Sequence, residues 1–249
     1  VITFENATVA FRQRTSGKSV VAVRQLDLEV ARGETLCLIG PSGCGKTTSL
    51  RLVNRMLEPS SGRVWVAGED VAEVDAIRLR RGIGYVIQSG GLFPHLSVRE
   101  NVGLLPKLEG WEPRRVRARA DELLELVHLS PGEFGARYPA ELSGGQRQRV
   151  GVARALALDP DILLLDEPFG ALDPITRGEL QEEFRELKRR VQKTVLLVTH
   201  DLREAFLLAD RVGLMAAGEL VQVGTLDELR ADPRTPWVAR FLEEHSRVG

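Results

Sequence analysis

Three stretches carry residue types whose spacing could do chemistry. Gly40-Pro41-Ser42-Gly43-Cys44-Gly45-Lys46-Thr47, followed by Thr48, fits G-x-x-x-x-G-K-[ST]. In such a loop the glycines let backbone N–H groups close on a phosphate, the lysine brings a positive charge, and the threonine hydroxyl suits a hard cation. Ile162-Leu163-Leu164-Leu165-Asp166-Glu167-Pro168 reads as an apolar strand that delivers two adjacent carboxylates at its end. Asp166 could hold Mg²⁺ through water, and Glu167 could orient and deprotonate an attacking water. Leu142-Ser143-Gly144-Gly145-Gln146 reads as a polar turn opening a helix. Ser143 can cap that helix, and the two glycines leave N–H groups uncovered at its positive end, which attracts an anion. The pentapeptide alone could arise by chance. A phosphate loop, a strand ending in Asp-Glu and this turn would very rarely coincide, and phosphoryl transfer to water would need such parts: a phosphate cradle, a metal and a placed water.

These residues need elements to hold them. The phosphate loop follows an apolar run at 35–39 and precedes a helical pattern over 47–57, the strand–loop–helix context that the motif requires. Residues 1–10 and 20–30 read as strands joined by the polar stretch 12–18, with Asn6, Ser16 and Gly17 supplying turn chemistry. Further short strands are expected at 62–66 and 82–87. Gln88 ends the second of these, and Ser89-Gly90-Gly91 follows, with Gly90-Gly91 read as a flexible joint. The period then turns helical at 98–105 and at 112–128, where Pro113 sits at a tolerated first position. The run Arg114 to Arg119 resembles a basic patch, but Asp121, Glu122 and Glu125 beside it favour a solvated face. Pro131-Gly132 and Tyr138-Pro139 punctuate the route to a helix at 147–156. After Pro168 come a charged amphipathic helix (175–190), a buried strand (194–199) ended by His200, and a helix (201–208). Strands at 211–215 and 220–223 around Ala217-Gly218, then helices at 225–229 and 237–244, finish the chain. Strands alternating with helices argue an α/β fold with a mostly parallel sheet covered on both faces.

The 249 residues allow a sizeable core, and 43% hydrophobic with 28% charged residues is ordinary globular composition. A net charge of −1 gives no argument for nucleic acid or an anionic membrane. No apolar run approaches the roughly 18 residues of a spanning helix, and no long apolar stretch near the start suggests a signal peptide. Two cysteines, Cys37 and Cys44, make no disulfide framework, and Cys44 reads as a small filler of the loop. A reducing, cytoplasmic setting is expected.

Together the phosphate loop, LSGGQ and the Asp166-Glu167 strand resemble the ATP-binding subunit of ABC transporters, over nearly the whole chain. The resemblance implies a P-loop NTPase core with an N-terminal antiparallel β subdomain and an inserted α-helical subdomain. Residues 1–90 would form the first part of the core, 91–157 the helical subdomain, and 158–249 the second part. ATP and Mg²⁺ would be the cofactors. Gly43 to Thr48 would wrap the β-phosphate, Lys46 would reach the β/γ oxygens, and Thr47 would ligate Mg²⁺ with Asp166. Val198-Thr199-His200-Asp201 matches the family's γ-phosphate switch, and Gln88 its switch glutamine, which contacts Mg²⁺ and the water. Phe11 is the best positional match for an aromatic that stacks on adenine, against a reading as simple packing. Ser143, Gly144, Gly145 and Gln146 would complete the site of a second copy, with Asp173 linking the two sites. Two ATPs would then join two chains head to tail.

Finer matches narrow the resemblance. They include the runs Ile83 to Gln88, Gly91 to His95, Leu105 to Trp111, Tyr138 to Glu141 and Asp173 to Arg177. These are similar to the ATPases of osmoprotectant importers for glycine betaine, carnitine, choline or proline betaine. Separate transmembrane permeases and an extracytoplasmic solute-binding protein would be partners, and nucleic acid would not. The chain would sit on the cytoplasmic face of the membrane, with Leu92-Phe93-Pro94-His95 meeting the permease. Many such ATPases carry a C-terminal pair of CBS modules, which the sequence to Gly249 does not include. An importer for an amino acid or sulfonate, an exporter ATPase, and a non-transport ABC ATPase are the alternatives.

Overall fold

The structure, a computed structural model, describes residues 1–12, 19–88 and 90–246. In chain order the strands and helices are β1 (Ile2–Arg12), β2 (Ser19–Val30), β3 (Thr35–Ile39), α1 (Lys46–Val53), β4 (Ser61–Val66), β5 (Glu69–Asp70) and α2 (Ala76–Arg81). Next come β6 (Ile83–Val86), α3 (Val98–Leu108), α4 (Pro113–Leu126), α5 (Pro131–Phe134), α6 (Gly144–Ala155), β7 (Ile162–Asp166) and α7 (Pro174–Val191). The last are β8 (Thr194–Thr199), α8 (Leu202–Leu208), β9 (Arg211–Ala216), β10 (Glu219–Gly224), α9 (Leu226–Ala231) and α10 (Pro236–Ser246). Ser16, Gly17 and Ser89, assigned turn or joint roles above, lie outside the described residues.

The chain divides into two compact units. One is Val1–Arg80 with Thr194–Gly249. It holds an antiparallel sheet in the order β2-β1-β4-β5, and strands in the order β10-β9-β3-β8. Strand β3 pairs in parallel with β8 on one side and β9 on the other, so all five of its residues are buried. That double coverage explains why Thr-Leu-Cys-Leu-Ile is a continuous apolar run rather than an alternating one. In β1, by contrast, Ile2, Phe4, Ala7 and Val9 point inward, with bulges resetting the alternation between Phe4 and Ala7.

The other unit is Arg81–Lys193. Here β6 and β7 pair in parallel, and α3, α4 and α6 pack on one another through Val98, Val102, Leu123, Leu124 and Val150. Helix α3 opens on a capping box between Ser97 and Glu100, α4 on Pro113, and α7 on Asp173 followed by Pro174.

Four details depart from the sequence reading. Helix α1 stops at Val53, short of the expected residue 57. Arg55 takes a left-handed φ of 51°, and the N–H groups of Met56 and Leu57 both return to Arg51 O. Arg55 is held there by bonds to Glu58 and to Val74 O at 2.8 Å. Helix α3 runs through Pro106 to Leu108, beyond the expected end at 105. Pro131-Gly132, read as punctuation, opens α5. Gly90 and Gly91 form a packed corner instead of a loose joint: their φ values are 76° and 56°, and Arg154 donates to both carbonyls.

Candidate functional site

In the first unit, β3 ends at Ile39 and pairs there with Thr199 of β8, so Gly40 and His200 leave adjacent strands at the same end. The loop that follows Gly40 is shaped by close backbone approach. A Cβ on Gly40 would fall 2.0 Å from Met215 O, and one on Gly45 would fall 2.4 Å from Ala22 O. Only glycine fits either place. Ser42 and Gly43 are exposed at the tip, and Cys44 and Lys46 are buried. The Lys46 ammonium donates to Gly40 O at 2.7 Å and Pro41 O at 3.1 Å, with Cys44 Sγ at 3.8 Å. Gly45 stands at the N-cap of α1 and brings no side chain to the first-turn amides, so Lys46, Thr47 and Thr48 start the helix without a side-chain cap. Burial, with Glu204 adding to it, pushes the Cys37 thiol well above its ordinary value, which makes it inert.

The brace behind this loop was not legible in the motif. Ala217 and Gly218 form the two-residue turn between β9 and β10, with φ of 49° and 87°. Gly218 N–H donates to Cys44 O at 3.1 Å, and Gly218 O accepts from Arg24 N at 2.8 Å. One residue thus ties the phosphate loop to β2. The turn residues flagged a hairpin, and nothing in their types indicated what the hairpin touches.

His200 is exposed between two fixed neighbours. The Thr199 hydroxyl donates to Glu204 Oε2 at 2.8 Å and accepts from Asp201 N at 3.1 Å, while Asp201 caps α8 by accepting from Arg203 N. Phe11, opposite Val20 on β2, is 42% exposed and therefore not part of the core.

In the second unit, Val86 pairs with Leu165, so Gln88 and the Asp166-Glu167 pair leave β6 and β7 at the same end. Asp166 is buried and accepts from Tyr85 Oη at 3.3 Å. Glu167 has a left-handed φ of 46°, an uncommon conformation for a side chain of this kind. Gly170 reveals where the turn aims it: a Cβ there would lie 3.3 Å from both Gln88 Nε2 and Glu167 Oε2. These two side chains converge over Gly170.

The signature turn lies in the same unit. Ser143 caps α6: its hydroxyl accepts from Gln146 N at 3.2 Å, and Gln146 Oε1 accepts from Ser143 N at 2.9 Å. The glycines answer to packing as well. A Cβ on Gly144 would lie 3.3 Å from Leu172 Cδ2, and one on Gly145 would lie 2.7 Å from Thr176 Cγ2. The start of α6 is thus pressed onto the start of α7, where Asp173 accepts from Thr176 N at 3.1 Å. Hydrogen bonds from Thr176 lower the pKa of the exposed Asp173 carboxyl.

With this geometry in place, the comparisons are decisive for family. The family model described as "ABC transporter" matches residues 23–170, more than half of the chain. The chain belongs to the ABC transporter family. Among curated ABC relatives, it is 55% identical over 89% of its length to the glycine betaine/carnitine/choline transport ATP-binding protein OpuCA of Bacillus subtilis. It is 50% identical over 97% of its length to the choline transport ATP-binding protein OpuBA of the same organism. The chain spans 58% and 62% of those two relatives. A solved ATP-binding cassette, described as a dimer in a post-hydrolysis state bound to ADP and Pi, superposes with a TM-score of 0.81. It is 32% identical, over 91% of this chain and 99% of that one. No helix among the described residues of this ABC chain is long and apolar enough to cross a membrane.

Proposed function

We propose that this chain is the ATP-binding and ATP-hydrolysing subunit of an ABC importer for a quaternary-amine osmoprotectant. The convergence of Gln88 Nε2 and Glu167 Oε2 over Gly170 carries the hydrolytic part of this reading. An amide and a carboxylate aimed at one point are what is needed to fix a water and take its proton. The names of the relatives support the cargo class.

The residues then take the following roles. The uncapped amides of α1 bind the phosphates. Lys46 trades its loop carbonyls for β/γ oxygens. Phe11 offers an exposed ring to adenine. His200, held between Thr199 and Asp201, contacts the γ-phosphate. Thr47 in one unit and Asp166 in the other each offer a hard oxygen of the kind that Mg²⁺ prefers, and this ion keeps several waters of its own. When bound it neutralises charge on the phosphates. Ser143 to Gln146 contact the γ-phosphate of a second copy, and Asp173 crosses the same interface. The chain works as a homodimer on the cytoplasmic side of separate permeases, supplied by an extracytoplasmic solute-binding protein.

Support for a permease-docking face comes from the helical unit. Phe93, Pro94 and His95 are exposed, with the Phe93 and His95 rings edge to face at 6.0 Å. A cavity of about 180 Å³ between α3 and α4 is lined by Leu96, Leu104, Pro113 and Val116 together with the charged Arg99, Glu100, Lys107 and Arg117. An exposed apolar cluster beside a groove marks a partner site. Reconstitution with candidate permeases in vesicles tests the reading. ATP-driven uptake of glycine betaine or choline is expected, with Phe93→Asp abolishing uptake while soluble ATP hydrolysis persists. Uptake only of an oxyanion or amino acid would overturn the cargo class.

A further inference from the structure

The Gly90-Gly91 corner is fastened to the helix that the signature turn opens. Arg154, in the last turn of α6, donates from Nη1 to Gly91 O at 2.8 Å and from Nη2 to Gly90 O at 3.0 Å. A planar guanidinium is suited to two such neighbouring acceptors. Its Cζ also lies 5.8 Å from the centre of the Phe93 ring. Gly151, about one turn earlier, faces the same corner, and a Cβ there would lie 3.1 Å from both Gly90 Cα and Gly90 O. A Cβ on Gly90 would in turn fall 2.7 Å from Arg147 O. Three positions along α6 thus grip one corner. Beyond the corner, the fully buried Asn101 of α3 accepts from Phe93 N at 2.8 Å and donates to Phe93 O, Leu96 O and Ser97 O.

Helix α6 has Ser143 at one end and this corner near the other, and Gln88 precedes the corner by two residues. We propose that Arg154 is a positioning residue that latches the corner to α6, so that Gln88, the run from Gly90 to Phe93 and the Ser143 end of the helix shift together when ATP binds. This rests on the assignment of Gln88 and Ser143 as nucleotide contacts made above. The mechanism is mechanical. A helix of 12 residues is a rod of roughly 18 Å, so a displacement at one end arrives at the other. Charge-assisted bonds to two carbonyls keep the corner from sliding independently. The reading gives the glycine pair a purpose other than looseness: it lets the backbone lie close enough to α6 to be gripped.

The test uses the full chain with Arg154→Ala, Arg154→Lys and Gly151→Ala. Three quantities are read: affinity for a fluorescent ATP analogue, steady-state ATP turnover, and hydrogen–deuterium exchange of peptides covering 88–97 and 143–150 with and without ATP. In the parent chain ATP is expected to change exchange in both peptides together. Arg154→Ala should leave affinity within about two-fold, lower turnover about 5- to 50-fold, and dissociate the two exchange responses. Arg154→Lys keeps the charge without the fork and should recover only part of the turnover. Gly151→Ala pushes on the corner while leaving the arginine in place, and should also dissociate the two responses. If Arg154→Ala does not fold, the other two variants decide. A folded variant with parental turnover and paired exchange overturns the latch. Failure of the underlying assignment is distinguishable: the parent itself would then show no ATP response in either peptide, and the latch would fall with it.

Discussion

Two glycine-rich helix starts in this chain look alike in sequence and differ in chemistry. At α1, the N-cap is Gly45, which has no side chain to cap the helix. At α6, Ser143 and Gln146 close a capping box on each other. Both ends carry the positive pole of a helix. Only the first has no side-chain cap from its N-cap residue, and it has a buried lysine beside it. At the second, the Ser143 hydroxyl accepts from the Gln146 N–H, so that amide is already bonded while the hydroxyl keeps its own proton to donate. On the function proposed above, one chain would bind ATP by itself at the first site and engage the ATP of another chain at the second.

The sharpest way to test that division is to remove chemistry from one region and leave binding in both. Glu167→Gln is expected to slow ATP turnover by at least about 10²-fold with affinity retained, measured by phosphate release and nucleotide titration. Lys46→Ala strikes the first region alone. It removes a charged donor, and should weaken nucleotide affinity by about 1.5–3 kcal/mol in a fluorescence titration. If affinity is unchanged, the open helix start is sufficient without the lysine. Phe11→Ala should cost about 1–3 kcal/mol of ADP affinity if the exposed ring stacks on adenine.

Ser143→Ala strikes the second region. It should cost the chain about 0.5–2 kcal/mol of stability, read from denaturant unfolding, while ATP affinity of the single chain stays level. The smallest effect expected is that of pH on Asp173. Bonds from Thr176 depress its pKa, so its contribution to the start of α7 is present above the ordinary carboxylate range, about 4, and is lost as pH falls through the depressed value. Protection of the Ile175 and Thr176 amides, taken relative to their intrinsic exchange rates at each pH, should fall on acidification below that range. Flat protection would mean that the bond carries no linkage.

The contrast between regions also marks how far the sequence could be read. The strands of the α/β core were legible because burial on both sides makes runs such as residues 35–39 and 194–199 continuously apolar. The motif residues were legible because each motif is contiguous, and its residue types state the chemistry. What could not be read was bracing by residues distant in the chain. Gly218 and Met215 close on the phosphate loop, Tyr85 on Asp166, and Arg154 on the Gly90-Gly91 corner. The glycine pair suggested looseness because glycine permits mobility and close approach alike, and only the surroundings distinguish the two. The early end of α1 was hidden for a similar reason, because a non-glycine residue, Arg55, adopts the left-handed conformation there.

The central claim is that the open start of α1 binds ATP within one chain and the capped start of α6 engages it from another. Analytical ultracentrifugation of Glu167→Gln with ATP and Mg²⁺ tests this most directly. The account predicts a dimer with ATP, a monomer when Lys46→Ala is added, and a monomer with ATP still bound when Ser143 is replaced by a bulky acidic residue. A chain saturated with ATP that sediments only as a monomer would contradict it.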